Sequence, residues 1–221
     1  GQTVVQSMDI AFLTGQVFNG FSVASLYILA ALGLALSFGL MRVINMAHGE
    51  ILMVGGYLAY LTILWVPGPL GILAGMVVAF IGAGILGGLL EVALVSKLTS
   101  RPLDTLLATW GVSLILQQAA RDLFGATGVS VTAPAWLDGA VSIGSLQLPY
   151  ARLFIMLVAI AVLLGLAALL RYTRIGLLVR AVNQDRPTAA AMGVNVRQVD
   201  AFIFALGAAV AGVGGVVLAL L

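Results

Sequence analysis

Long apolar runs separated by short polar stretches make up most of the sequence. A helix that crosses the hydrocarbon core of a bilayer needs about 20 mostly apolar residues. By this criterion we predict spans over residues 17–41, 50–66, 70–96, 103–120 and 150–170, and another from near Val199 to the end. Residues 1–16 are expected to form an interfacial helix instead of a span, because polar side chains interrupt them: Gln2, Gln6, Ser7 and Asp9.

Small residues recur at every fourth position in two of the predicted spans. The third span contains Gly71, Gly75, Ala79, Ala83 and Gly87, and the last contains Gly207, Ala211 and Gly215. This spacing keeps them on one helical face and predicts close packing against another helix. Glu91 continues the first series and should be either near the membrane interface or buried in the bundle. We therefore predict an all-α, polytopic transmembrane bundle in a single domain, residues 1–221.

The composition strengthens the membrane assignment and excludes several functions. The chain is 62% hydrophobic and 8% charged, whereas soluble domains carry about 25% charged residues. Its net charge of +2 is too small to argue for nucleic-acid binding. Without cysteines it has no disulfide framework and no thiol chemistry. No cleavable signal peptide is expected, since the first basic residue is Arg42.

Basic residues in the loops predict one orientation. Lys97 and Arg101 share a loop, and two spans later another loop carries five arginines: Arg171, Arg174, Arg180, Arg186 and Arg197. Both loops should be cytoplasmic, as should Arg42. The turn at residues 66–69 and the loop at 121–149 have no basic excess and should be periplasmic, with Trp136 and Tyr150 at the interface. The longer loop is a candidate dock for a periplasmic protein.

The cytoplasmic segment between the last two spans predicts a short displayed helix. Asp185 or Asn183 can cap its start, Pro187 suits its first turn, and Gly193 can close it in the left-handed conformation. Asn195 and Gln198 resemble a capping box for the next span. So short a helix would be marginal alone, which leaves an ordinary interfacial turn or a helix inserted into a partner's groove. Its residues are Arg186, Pro187, Thr188, Ala189, Ala190, Ala191, Met192 and Gly193.

Two polar groups lie within or beside the spans. The first is Arg42, Asn45, His48 and Glu50. It favours a helix break whose polar groups satisfy exposed backbone, or a pathway lining, over a metal site, because no second histidine and no cysteine supply ligands. The second shares one helical face and could bind a small neutral solute or join neighbouring helices: Trp110, Ser113 and Gln117.

Two long stretches resemble the permease subunits of branched-chain amino-acid-type ABC importers: residues 33–50, and residues 174–185 followed by 189–193. Within this family, residues 106–118 and 133–139 look most like the urea-importer permease. The family's subunits continue with further spans, so the resemblance implies a chain shortened after Leu221. The chain also has Thr188 where the general ABC-permease coupling motif begins with an acidic residue.

The resemblance implies a transport subunit of the bacterial inner membrane that moves urea, or alternatively branched-chain amino acids. Its partners would be a homologous second permease, two cytoplasmic ATPases that bind the helix near residues 187–193, and a periplasmic solute-binding protein. No cofactor is expected on the chain itself. The sequence has no G-x-x-x-x-G-K-(S/T) phosphate loop, so partners would bind ATP. A self-sufficient channel or carrier, or a membrane enzyme, are the competing hypotheses.

Overall fold

The apolar runs are helical in the structure, a computed structural model that describes residues 1–98, 100–131, 133–144 and 146–221. The all-α fold and multi-pass architecture are confirmed. A π-helical segment, Glu91–Val95, joins α3 to α4, and a 3₁₀ turn covers Ala135–Leu137. The helices are α1 (Gln2–Met41), α2 (His48–Trp65), α3 (Gly71–Leu90), α4 (Ser96–Leu98), α5 (Pro102–Phe124), α6 (Tyr150–Tyr172), α7 (Arg174–Gln184), α8 (Arg186–Ala191) and α9 (Val196–Ala219).

Four helices in the described part of the chain are long and apolar enough to cross a bilayer: Gln2–Met41, Gly71–Leu98, Tyr150–Tyr172 and Val196–Ala219. Helices α2 and α5 were also predicted as spans, but they do not meet this standard. The first turn of α2 contains His48 and Glu50, and α5 carries two glutamines near its end. These polar groups lower the hydropathy of both helices and make them the candidates for a polar route through the bundle.

The separate interfacial helix predicted for residues 1–16 is wrong. Helix α1 is continuous over 40 residues, or about 60 Å at 1.5 Å per residue. Its early polar side chains do not end it, because the Ser7 and Thr14 hydroxyls donate to the carbonyls of Val4 and Ile10 within the helix. Near Gly15 the helix lies against Leu146: a Cβ atom built with ideal geometry on Gly15 would be 3.7 Å from the Leu146 side chain.

Helix α9 is the centre of the bundle. Every residue from Gly207 to Val217 is buried. Helices α1, α2 and α3 surround it, and glycines allow their backbones to approach closely. An ideal Cβ on Gly207 would lie 2.6 Å from the carbonyl oxygen of Gly33 in α1, and one on Gly212 would lie 2.7 Å from that of Ala79 in α3. The packing prediction from both small-residue series is confirmed, since all their members are buried.

The loop between α5 and α6 contains a β-hairpin that sequence reasoning missed. Strands β1 (Ala140–Ile143) and β2 (Leu146–Pro149) pair antiparallel, with Ile143 opposite Leu146. Gly144 has φ = +63° at the turn, a conformation that glycine adopts without a steric cost. Alternating side chains on either side of a Gly-Ser pair were the available signal.

Loops predicted on the same side of the membrane meet in the structure. Arg42, Ser100 and Arg186 come from three different connections and line one cavity of about 440 Å³. At the opposite end, the indole N–H of Trp136 donates to the carbonyl of Pro69 at 2.7 Å. The topology is therefore internally consistent, while the cytoplasmic assignment of the arginine-rich end stays a prediction.

Candidate functional site

The chain leaves the helical conformation between α1 and α2. Arg42 has φ = 56° and ψ = 33°, the left-handed region, and its N–H donates to the Phe38 carbonyl at 2.9 Å. It is the one non-glycine residue with positive φ in the described ranges. Such a conformation costs about 1–2 kcal/mol for an L-residue. Contacts of the neighbouring residues offset that cost: Val43 packs with Val95 and Phe204, and polar side chains satisfy the backbone.

Two side chains satisfy the backbone exposed by this break. The Asn45 amide oxygen accepts from the N–H of Ala47 at 3.0 Å, and the Thr109 hydroxyl of α5 accepts from the N–H of Met46 at 3.1 Å. Asn45 and Thr109 are 5% and 1% exposed. Buried amides without a partner are costly, so these contacts stabilise the break and attach α5 to it.

His48 connects the start of α2 to α1. Its Nε2–H donates to the carbonyl of Ala30 at 2.8 Å, which requires the proton on Nε2. An ideal Cβ on Gly33 would lie 2.8 Å from the imidazole Cε1 and would overlap the carbonyl oxygen of Gly207. A glycine at position 33 therefore lets His48 and α9 both reach α1.

Glu50 of α2 is joined to the polar face of α5. The Gln117 side-chain amide donates to the Glu50 carboxylate at 2.7 Å and to the Ser113 hydroxyl at 3.3 Å. Ser113 is 4% exposed, whereas Trp110 is 52% exposed. The structure thus brings together two of the three residues predicted on this face and adds Glu50 to them. The indole of Trp110 lies at the surface.

The segment between α6 and α9 contains the predicted short helix, α8. Asp185 caps it by accepting from the Thr188 N–H at 3.2 Å and from the Thr188 hydroxyl at 2.7 Å. These hydrogen bonds, the hydroxyl first, lower the pKa of Asp185 below its ordinary value. Gly193 has φ = +92°, and the Asn195 side chain accepts from the Gln198 N–H. The local cap predictions are confirmed.

One side of α8 is free of contacts with the bundle. Ala189 is buried, but Ala190 and Ala191 are exposed and Met192 is 81% exposed. Helix α8 and the residue after it thus present a small apolar surface.

Helix α7 supports α8 and was not predicted from the sequence. The Thr173 hydroxyl accepts from the N–H of Gly176, and an ideal Cβ on Gly176 would overlap the carbonyl of Leu170. Val179 and Val182 are buried against the bundle. Apolar residues at helical spacing (Ile175, Leu178, Val179 and Val182) were the signal for this helix.

The loop between α5 and α6 packs against α6 through an aromatic contact. The ring centroids of Trp136 and Phe154 are 5.4 Å apart in an edge-to-face arrangement. Trp136 and Tyr150 are 41% and 40% exposed, which suits aromatic residues at a membrane interface. A cavity of about 680 Å³ lies between this loop and the turn at residues 67–69. The loop's role as a dock stays a prediction.

Comparison with known proteins gives a consistent result over almost the whole chain. The model of the family described as branched-chain amino acid transport system / permease component matches residues 16–221. LivH, the high-affinity branched-chain amino acid transport system permease protein of Salmonella typhimurium, is 32% identical over 96% of this chain and 72% of its own length. BraD, which has the same description in Pseudomonas aeruginosa, is 30% identical over 92% of this chain and 69% of its own length. No solved structure matches.

Proposed function

This chain belongs to the family of branched-chain amino acid transport system permease components, and we propose that it is a membrane-spanning subunit of an ATP-driven importer. The observation that carries the proposal is α8, a capped six-residue helix with an exposed apolar side. A channel or carrier working alone would have no use for such a displayed helix. In an ATP-driven importer the helix has a function: a cytoplasmic ATPase binds it, and movement of the ATPase is transmitted through it to the bundle.

The proposed assembly contains a second, homologous permease subunit, two cytoplasmic ATPases and a periplasmic solute-binding protein. Residues 187–193 form the ATPase contact on this subunit, while the guanidinium of Arg186, which was also predicted there, contacts Asp200 of α9 instead. The exposed apolar side of α5 supports a neighbouring membrane subunit, since its exposed residues lie beside the polar face described above: Leu107, Trp110 and Leu114. Solute would then pass near the helix break and the Glu50–Gln117 contact, at the junction of two subunits.

Branched-chain amino acids are the solutes we propose first. The relatives LivH and BraD are named for branched-chain amino acid transport, and the Glu50 carboxylate is a suitable acceptor for an ammonium group. These relatives do not support the urea specificity suggested by residues 106–118 and 133–139. Urea stays the second candidate because Ser113 and Gln117 are neutral groups that could donate to and accept from it.

Replacing Ala190 with arginine tests the ATPase contact. Ala190 is exposed on the apolar side of α8, so an arginine there should leave the bundle intact and place an unpaired charge in the interface with the ATPase. We expect Ala190→Arg to abolish co-purification of the ATPase and ATP-dependent solute uptake, measured on the complete complex.

The matched control is Ala126→Arg, the same substitution at an exposed position in the loop between α5 and α6. It should retain the ATPase, because this loop is predicted on the other side of the membrane. Full ATPase retention and normal uptake in the Ala190→Arg complex would refute the assignment of α8 as the coupling helix.

A further inference from the structure

An ion pair with one buried partner, Asp200, joins α8 to the central helix. The Arg186 guanidinium contacts the Asp200 carboxylate, and the two side chains are 42% and 9% exposed. The other ion pair in the described ranges, Arg101 with Asp104, is 3.5 Å long with side chains 72% and 48% exposed. Exposed pairs of that kind contribute little to stability. A carboxylate as buried as Asp200 is different, because removing its partner leaves an uncompensated charge.

The position of this ion pair makes it the main polar link between α8 and the bundle. Arg186 is the first residue of α8, and Asp200 lies in the second turn of α9. Only Ala189 of α8 is buried, so apolar packing alone attaches this helix weakly. The buried part of α9 begins with Asp200 and continues through the region that packs against α1, α2 and α3.

Two other elements lie near the same carboxylate. Glu91, 2% exposed, is in the π-helical segment after α3, whose Val95 packs against Phe204 of α9, one turn from Asp200. Arg42, at the helix break, lines the 440 Å³ cavity that also contains Arg186 and Asp200. π-Helical segments are frequent at functional sites. Asp200 is thus where α8, the end of α3 and the break after α1 meet.

We propose that Arg186 and Asp200 are a positioning pair that transmits movement of α8 to α9. The inference rests on the proposed function, since it requires an ATPase that moves α8. A charged hydrogen bond has a defined length and direction, so the pair resists separation when α8 is displaced. Displacement then moves the cytoplasmic end of α9, and the tight glycine contacts carry the movement to α1, α2 and α3. The adjoining cavity leaves room for this motion.

The test compares Arg186→Gln, Arg186→Lys and Asp200→Asn in the complete complex, reconstituted in liposomes with its solute-binding protein and leucine or urea, whichever the wild type imports. Arg186→Gln and Asp200→Asn should retain the ATPase and its basal hydrolysis. Their solute uptake should fall about tenfold, a change within the usual range for coupling between sites. More ATP would then be hydrolysed for each solute imported. Arg186→Lys keeps the charge and should retain most uptake.

Arg174→Gln is the matched control, because it removes an exposed arginine from the same cytoplasmic segment. Its uptake and coupling ratio should equal those of the wild type. Wild-type uptake in both Arg186→Gln and Asp200→Asn would overturn the inference, as would loss of the ATPase in Arg186→Gln. If Asp200→Asn does not assemble, the contrast between Arg186→Gln and Arg186→Lys decides, and equal uptake by these two refutes the proposal. A wild-type complex without ATP-dependent uptake would instead contradict the proposed function, and the positioning role with it.

Discussion

At positions 33 and 207 the backbones of α1 and α9 touch. An ideal Cβ at Gly207 would be 2.6 Å from the Gly33 carbonyl oxygen, and a Cβ at Gly33 would overlap the Gly207 carbonyl. Backbone atoms cannot rotate away as the end of a flexible side chain can. A glycine is therefore required at both positions for the two backbones to approach this closely.

We expect Gly33→Ala to destabilise the protein by about 1–3 kcal/mol, the usual cost of overpacking a core. The measurement is the free energy of unfolding in detergent or the melting temperature of the purified chain. Gly39→Ala is the control, since it lies on the same helix and a Cβ there meets nothing within 4 Å. It should be neutral or stabilising by about 0.5–1 kcal/mol, because alanine favours helix over glycine. Equal melting of the two variants would argue against the close contact.

Individual residues with local roles were predictable. Asp185, Gly193 and Asn195 act through hydrogen bonds or dihedral angles within a few residues of themselves, so cap rules suffice to place them. For Glu91 the sequence left two environments open, the membrane interface and the interior of the bundle, and the structure buries it. Its burial depends on α9, more than 100 positions away in the sequence, and no local pattern contains that information.

At the scale of elements, the break between α1 and α2 depends on α5. The Met46 N–H is satisfied by the Thr109 hydroxyl, and the two residues are 63 positions apart. The helix break was foreseeable from the polar residues within it, but its partner was not. Helix α7 and the hairpin β1–β2 were missed for another reason. The length criterion selects only runs of about 20 apolar residues, so it does not detect short elements. The periodic pattern of each element was nevertheless present in the sequence.

Thr109→Val should weaken this junction. The substitution keeps the shape of the side chain and leaves the Met46 amide without an acceptor, at a cost of about 1–3 kcal/mol. Hydrogen–deuterium exchange should rise at residues 42–47. The control is Thr62→Val, because that hydroxyl donates only to the Leu58 carbonyl of its own helix, at 2.7 Å. Unchanged exchange near the break in Thr109→Val would contradict the role given to Thr109.

For the whole molecule, α9 is central because its small residues allow three helices to surround it. The spacing of glycine and alanine predicted one tightly packed face, while the structure buries α9 on all sides from Gly207 to Val217. A periodicity argument finds one face of a helix, but the number of helices around it is a property of the assembled bundle. The outer surfaces remain apolar, as lipid requires, and α3 exposes Val77, Ile81 and Ile85.

The two ends of the molecule differ. One end has most of the arginines, the proposed coupling helix α8 and the cavity beside Asp200. The other end has the hairpin and the Trp136–Pro69 contact. An importer needs this asymmetry, because ATP is available on one side of the membrane and solute arrives from the other.

The most direct test is solute uptake by the complete complex in liposomes, with its solute-binding protein outside, ATP inside, and labelled leucine and labelled urea supplied in parallel. We expect leucine accumulation that requires ATP and the binding protein and that is lost in Ala190→Arg. Accumulation of urea alone would contradict the proposed solute. Equal uptake of either solute with and without ATP would show that this chain is not a subunit of an ATP-driven importer.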